Sequence, residues 1–168
     1  IWENQMKSGL LSKTFSQGMM SRGNYLRDHL SVSLKKVLSR GGNLIDVGGS
    51  LGDYCGKFTE QYNNLNCTVF DFPQVIKQAK ENVSSKMYSR VSFVEGDMFN
   101  DQFPSNFDIF LYSNAIHDWD HEQIKNLFKK TFASINKGGV IIVHDCYLDK
   151  NKTSPSYAVD HALYLSVF

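Results

Sequence analysis

The hydrophobic positions of this chain follow a helical period in some stretches and gather into short, strand-length runs in others. From Asn24 to Ser39, Leu26, Leu30, Leu34, Val37 and Leu38 share one helical face, and Gly41-Gly42 ends that helix. "NLIDV" then predicts a strand, and Asp53 to Tyr62 a helix. "CTVF" predicts a second strand, followed by a helix from Gln74 to Val83 with Val75, Ile76 and Ala79 inward. "VSFVEG" and "FDIFLYS" predict two more strands. Asp120 to Ile135 predicts a helix with a buried stripe of Ile124, Leu127, Phe128 and Phe132. Asp120 can cap it, with Gln123 three positions on, and Gly138-Gly139 stop it. "GVIIVHD" predicts a fifth strand, and Ser156 to Phe168 begins another helix.

Five short apolar strands separated by helices imply an α/β fold, a mainly parallel sheet covered on both faces. Ligands of such sheets bind beyond the carboxyl ends of the strands, so functional residues should follow strands. Residues 1–23 are polar and irregular, with Gly9, Gly18 and Gly23 as breakers, and read as a linker. Residues 24–168 read as one domain. There is no internal repeat and no low-complexity segment.

Composition narrows the classes. With 168 residues the chain can bury a substantial core. Its 18 basic and 17 acidic side chains are nearly balanced, without the basic stripe of a nucleic-acid binder. Apolar runs such as Val140 to Val143 are far shorter than the about 20 residues that span a bilayer. The start, "IWENQMKSGLLSK", lacks the order of a signal peptide and a first Met, which suggests an excerpt of a longer chain. Three scattered cysteines, Cys55, Cys67 and Cys146, fit a reduced, cytoplasmic protein better than a disulfide framework or a metal site. His121, His144 and His161 have no metal-ligating spacing.

The chemistry gathers around "LIDVGGSLGD", where three readings compete. Gly48-Gly49-Ser50-Leu51-Gly52 spells the G-x-S-x-G elbow of a nucleophilic serine, but that elbow normally follows several strands, and here it follows the first. The dinucleotide fingerprint G-x-G-x-x-G does not fit the spacing of Gly48, Gly49 and Gly52, and "GDYCGKF" fails as a phosphate loop. A loop for a methyl donor explains more. Asp46 closes the first strand, where a carboxylate can meet a cationic ligand, and the three glycines let backbone approach it. Asp71 ends the second strand in "VFDFP" and could take both ribose hydroxyls. Asp97 follows the third strand in "VEGDMF", placed to accept from an adenine amino group, with Met98 and Phe99 as apolar surface. Each acid alone could be a helix cap or a turn residue. Three acids after three successive strands are harder to explain that way, and Ser50 is then a loop residue.

The segments "LIDVGGSLGDYCGKF", "VFDFPQVI", "VEGDMF", "NAIHDWDHEQIKNLFKK" and "GGVIIVHDCYLD" resemble, in order and spacing, the plant-type and hydroxyindole O-methyltransferases. The resemblance covers nearly the whole chain. It implies a Rossmann-like class I methyltransferase fold and S-adenosylmethionine as cofactor, with no metal. Asp46, Gly48, Gly49 and Gly52 would hold the methionine part of the donor, and Asp71 the ribose. Asp97 and Met98 would contact adenine, with Phe72, Phe99 and Ser113 in the same pocket. His117, in "IHDW", matches the family's catalytic base, and Asp145, in "VHDC", the acidic residue that flanks it. Phe15 and Met19, in "FSQGM", look like the element that lines the substrate pocket. Ser50 stands where Gly is usual, Leu51 where Thr or Ser is, Ser113 where plant members carry Lys, and Asp145 where Glu is usual. The resemblance also implies a homodimer formed through an N-terminal domain, and a C-terminal strand hairpin. Neither segment is in this chain.

The implied reaction is methyl transfer to the hydroxyl of a small aromatic acceptor. A phenol, with pKa near 10, is mostly neutral at pH 7, and a histidine base is matched to removing its proton. His117 follows the fourth strand, and Asp145, after the fifth, could fix its tautomer. A helix-entry histidine bonded to backbone is the bland alternative, and Trp119 reads as core packing. Two other functions stay open: methyl transfer to nitrogen or carbon, and a non-catalytic protein that retains the donor fold.

Overall fold

The computed structural model describes residues 26–82, 88–156 and 158. Helix α1 covers 26–33 and a short helix α2 Lys35–Leu38. Strands and helices then alternate: β1 Gly42–Val47, α3 Asp53–Gln61, β2 Leu65–Asp71, α4 Pro73–Asn82, β3 Val91–Glu95, β4 Phe107–Ser113, α5 His121–Ser134 and β5 Ile135–His144. The linker over 1–23, with Phe15 and Met19, and most of the final helix lie outside the described residues.

The five strands form one sheet in the order β3-β2-β1-β4-β5, and every neighbouring pair is parallel. Chain order reverses between β1 and β4, which makes their shared carboxyl end the topological switch point. The sheet is buried on both faces because its central strands are apolar on both. On one face Leu44, Val69, Ile109 and Leu111 pack with Leu30 and Leu38, with Cys55 and Phe58 of α3, and with Ile76 of α4. On the other, Ile45, Val47, Phe70, Phe110 and Tyr112 pack with Leu127 of α5. Each fully buried side chain of this size contributes roughly 1.5–3 kcal/mol. Helix α3, which follows the glycine loop, has its carboxyl end held by Arg90, whose guanidinium donates to the carbonyls of Thr59, Tyr62, Asn63 and Leu65.

Three local expectations change. The first helix is interrupted at Leu34, whose backbone angles (φ −90, ψ 4) depart from helical values although it keeps its bonds to Leu30 and Leu38, and Leu26 is 39% exposed. Phe132 is 79% exposed. It sits about 80° around the helix from Ile124 at 100° per residue, outside the stripe. Thr131 takes the inward place instead, its hydroxyl 2.5 Å from that of buried Tyr112. Gly138-Gly139 do not stop α5. The helix ends at Ser134 under the expected cap, with Asp120 and Gln123 bonded reciprocally, and Ile135 is already extended. The two glycines sit instead in an irregular stretch of β5, where the register with β4 shifts between Phe107 and Ile109. A Cβ on Gly139 would lie 2.7 Å from the Asp108 carbonyl, so that close approach requires glycine.

Candidate functional site

Parallel pairing brings the strand-end residues to a single edge of the sheet. Asp46 lies in β1, one residue before its end, Asp71 ends β2, and Asp97 follows β3; Ser113 ends β4, and Asp145 follows β5. All the strand-end positions singled out in the sequence therefore share one edge of the sheet, on either side of the switch point.

Asp46 is 1% exposed. Burial raises its carboxyl to about 7, with help from the charge of Asp71 and against a contact from the Cys55 thiol. That thiol is 3.9 Å from Oδ2. Gly49 crosses so close that a Cβ there would meet the Asp46 carboxylate at 2.8 Å. Gly52, at φ +82, caps α3, and a Cβ there would touch Val69 at 3.0 Å. Internal packing against β1 and β2 thus demands glycine at both positions. Gly48 donates its N–H to the Phe70 carbonyl at 2.9 Å.

Asp71 is more open. Its Oδ2 accepts the Ser50 N–H at 2.9 Å and its Oδ1 the Phe72 N–H at 2.7 Å. Burial still raises it to about 6, against the pull of those two N–H groups. Ser50 therefore acts through its backbone, at φ 53, with its N–H turned onto Asp71. Each carboxylate oxygen keeps a further lone pair for another donor. The Phe72 carbonyl starts α4, accepting from Val75 and Ile76.

Asp97 builds a tight turn. Its Oδ1 accepts the Phe99 N–H at 2.8 Å and its Oδ2 the Asn100 amide at 2.7 Å, while its own N–H donates to Asp101. The turn role is real, and it displays Met98 and Phe99 against the second core cluster. Phe99 meets Trp119 edge-on at 4.5 Å, and the Trp119 indole donates to the Ala115 carbonyl at 2.9 Å. Trp119 packs as expected, and its ring joins the Asp97 turn to the loop that carries His117.

His117 and Asp145 come together. His117 Nδ1 is 2.6 Å from Asp145 Oδ1, and the Asp145 side chain is only 1% exposed. Asp145 also accepts the N–H groups of Cys146 at 2.8 Å and Ile116 at 3.2 Å. Burial alone would raise Asp145, but the bond to His117 and these N–H groups bring it below the ordinary carboxylate range. An ionised carboxylate only accepts, so the proton of the shared bond lies on Nδ1. Asp145 reaches the ring although it is one methylene shorter than Glu. The bond to Asp145 raises His117, against burial, and the charges of Asp145 and Asp118 add to it. Asp118 Oδ1 stands 3.7 Å from Nε2.

Sequence reasoning missed three neighbours. Asp118 adjoins His117 in the chain, and that adjacency was the available signal. His144 pairs through Nδ1 with the Ser113 hydroxyl at 2.9 Å, so Ser113 is engaged within the sheet edge. Lys130 donates to carbonyls of the Asp97 turn, and nothing in its spacing announced that. Among the described residues no group of three or more His, Cys, Asp or Glu could hold a metal ion, and no helix is long and apolar enough to cross a membrane.

The family model of the O-methyltransferase domain matches residues 1–168. The 3-hydroxy-5-methyl-1-naphthoate 3-O-methyltransferase of Streptomyces sahachiroi is 29% identical over 95% of this chain and 45% of its own length. Human acetylserotonin O-methyltransferase is 30% identical over 67% of this chain and 32% of its own length. This chain thus spans less than half of these curated relatives. Human N-acetylserotonin methyltransferase, solved in complex with SAM, has the same fold, with a TM-score of 0.86 at 24% identity over 95% of this chain and 45% of that one. An O-methyltransferase family 2 protein of Planctomyces limnophilus, solved with apigenin, superposes with a TM-score of 0.79 at 27% identity, covering 95% of this chain and 49% of that one.

Proposed function

The chain belongs to the O-methyltransferase domain family, and from that premise we propose that it transfers a methyl group from S-adenosylmethionine to a hydroxyl of a small aromatic acceptor. The observation that carries this reading is the 2.6 Å pair of His117 and Asp145 at the edge where Asp46 and Asp71 also gather. A methyl acceptor named as a naphthoate in one relative, and a bound flavone in a solved neighbour, support an aromatic hydroxyl.

The residues present fit the donor. Two carboxylates raised by burial, Asp46 and Asp71, are stabilised by a ligand that brings positive charge. Asp71 keeps acceptor capacity for ribose hydroxyls, beside a loop with glycine at positions 48, 49 and 52. Met98 and Phe99, on the turn held by Asp97, would offer the apolar wall for adenine, and Phe72, next to Asp71 in the chain, is proposed for the same pocket. Ser113, bonded to His144, takes the edge of the donor pocket. Phe15 and Met19 remain proposed walls for the acceptor.

When bound, S-adenosylmethionine supplies a methyl group on a positively charged sulfur. His117 does the proton work. With Nδ1–H donated to Asp145, Nε2, which faces Asp118, is the ring nitrogen that would take the hydroxyl proton of the methyl acceptor. The imidazolium that results is stabilised by Asp145 on one side and Asp118 on the other. Proton removal contributes roughly 10²–10⁴-fold, and positioning supplies much of the rest.

Replacing His117 by Ala in the protein tests the reading. Donor binding should persist, while kcat for a phenol of ordinary pKa should fall by roughly 10²–10⁴. The loss should shrink for phenols already ionised at assay pH, and at high pH. An equal loss across the whole phenol series would remove His117 from the proton transfer.

A further inference from the structure

Lys130, on α5, reaches out of its helix to a turn some thirty residues earlier in the chain. Its ammonium donates to the Met98 carbonyl and, at 2.6 Å, to the Asp101 carbonyl. These two oxygens flank the turn from Asp97 to Asp101, which is closed by the Asp101 N–H on the Asp97 carbonyl at 2.9 Å. The ammonium also stands 4.5 Å from the centre of the Phe103 ring, which backs the same turn. An ammonium has three donors and no acceptor, so it can tie two carbonyls at once where one water would have to be ordered. The charges of Asp97 and Asp101 favour the cation, while burial works against it and is the larger influence.

We propose that Lys130 is a positioning residue for the donor site: by holding both sides of the Asp97–Asp101 turn, it fixes Asp97, Met98 and Phe99 in the arrangement that meets adenine. The proposal rests on the reading of that turn as the adenine wall. The turn is also held from within itself, by Asp97 to Phe99 and Asn100, and by apolar contact of Met98 and Phe99 with the second core cluster and with Trp119. Apolar contact is non-directional and leaves the turn's carbonyls free to shift. Lys130 adds directional bonds to two of them from an independent element. Loss of the anchor acts on adenosine binding and leaves the chemistry at His117, on the neighbouring loop, in place.

The experiment compares wild type with Lys130→Met, which keeps the apolar stem and removes all three donors. Binding of S-adenosylhomocysteine and of adenosine is measured by calorimetry, alongside donor KM, kcat at saturating donor, and amide hydrogen exchange without ligand. The variant should bind both ligands roughly tenfold more weakly, the scale of a hydrogen bond to a charged group. Donor KM should rise by the same factor, with kcat changed less than twofold. Exchange should quicken over 97–101 and stay unchanged in β4. Lys130→Arg, which keeps the charge and several donors, should restore part of the affinity. Unchanged affinity in the folded variant, or kcat falling in step with the rise in KM, would overturn the proposal. If Lys130→Met does not fold, Lys130→Gln takes its place, and the same results support or overturn the proposal. Failure of wild type to bind S-adenosylhomocysteine would overturn the donor reading itself, an outcome distinct from a wild type and a variant that bind alike.

Discussion

At the ends of β1 and β2, Asp46 and Asp71 are raised by burial to about 7 and about 6, with N–H groups and a thiol as their donors among the described residues. At the ends of β4 and β5, the Asp145 side chain is as closed off as Asp46, yet it lies below the ordinary carboxylate range because it is bonded to the His117 imidazole. The two halves of one sheet edge thus treat a carboxylate in opposite ways. A buried carboxylate without a cation costs stability, and with one it gives stability back. The β4–β5 half carries its carboxylate's partner, the His117 imidazole, within the chain. In the β1–β2 half, the proposed partner is a cation brought by a ligand.

The carboxylates of the two halves also respond oppositely to pH. A carboxyl raised in the fold favours folding below its ordinary value near 3.8, and the benefit is lost as pH rises through the folded value. The unliganded protein should therefore lose stability between about pH 4 and 7 from Asp46 and Asp71. Asp145, lowered in the fold, contributes stability above the ordinary carboxylate value that is lost as pH falls through its folded one. His117, raised, contributes fully below its ordinary value near 6.5, and that contribution fades as pH rises through its folded value.

The largest effect should come from breaking the self-sufficient half. Asp145→Asn allows the amide to donate to Nδ1 and turns the imidazole to the wrong tautomer, so kcat should fall by 10²-fold or more, on the order of triad aspartate losses. The rising limb of the pH–rate profile should also move to lower pH, because the bond that raises His117 is gone. A steady-state pH profile checks both, and an unmoved limb would separate Asp145 from the base. In the other half, Asp71→Ala should weaken S-adenosylmethionine binding by about 1.5–3 kcal/mol, the scale of a hydrogen bond to a charged group. Calorimetry on the folded variant measures it, and unchanged affinity would discard the ribose assignment. The smallest effect belongs to Ser50→Ala. Its backbone N–H, not its hydroxyl, reaches Asp71, so activity should stay within about twofold, whereas a nucleophile would lose nearly all of it. Labelling of Ser50 by a fluorophosphonate would contradict the loop reading.

The halves were not equally legible in the sequence. Asp46 and Asp71 at the ends of their strands, and Asp97 just after its own, could be read because apolar runs mark strands, and parallel order then sends every strand end to one edge. His117 and Asp145 were legible for the same reason, and the structure closes their distance. The helix α5 was read correctly at its cap, where chemistry is local, and incorrectly at Phe132, where one residue of rotation decides between core and solvent. Gly138-Gly139 misled because glycine marks both helix ends and strand irregularities. Lys130 had no signature at all, since its partners are backbone carbonyls, which every residue has.

The most direct test of the contrast counts protons as the donor binds. S-adenosylmethionine binding is measured by calorimetry at pH 6.5 in two buffers of different ionisation enthalpy. A cationic ligand that lowers both Asp46 and Asp71 should release roughly one proton in wild type, since near that pH Asp46 is mostly protonated and Asp71 only partly. Release should vanish toward pH 8.5, where both are already ionised. Binding with no proton released at pH 6.5 would mean that the ligand does not meet these carboxylates, and would contradict the donor half of the account.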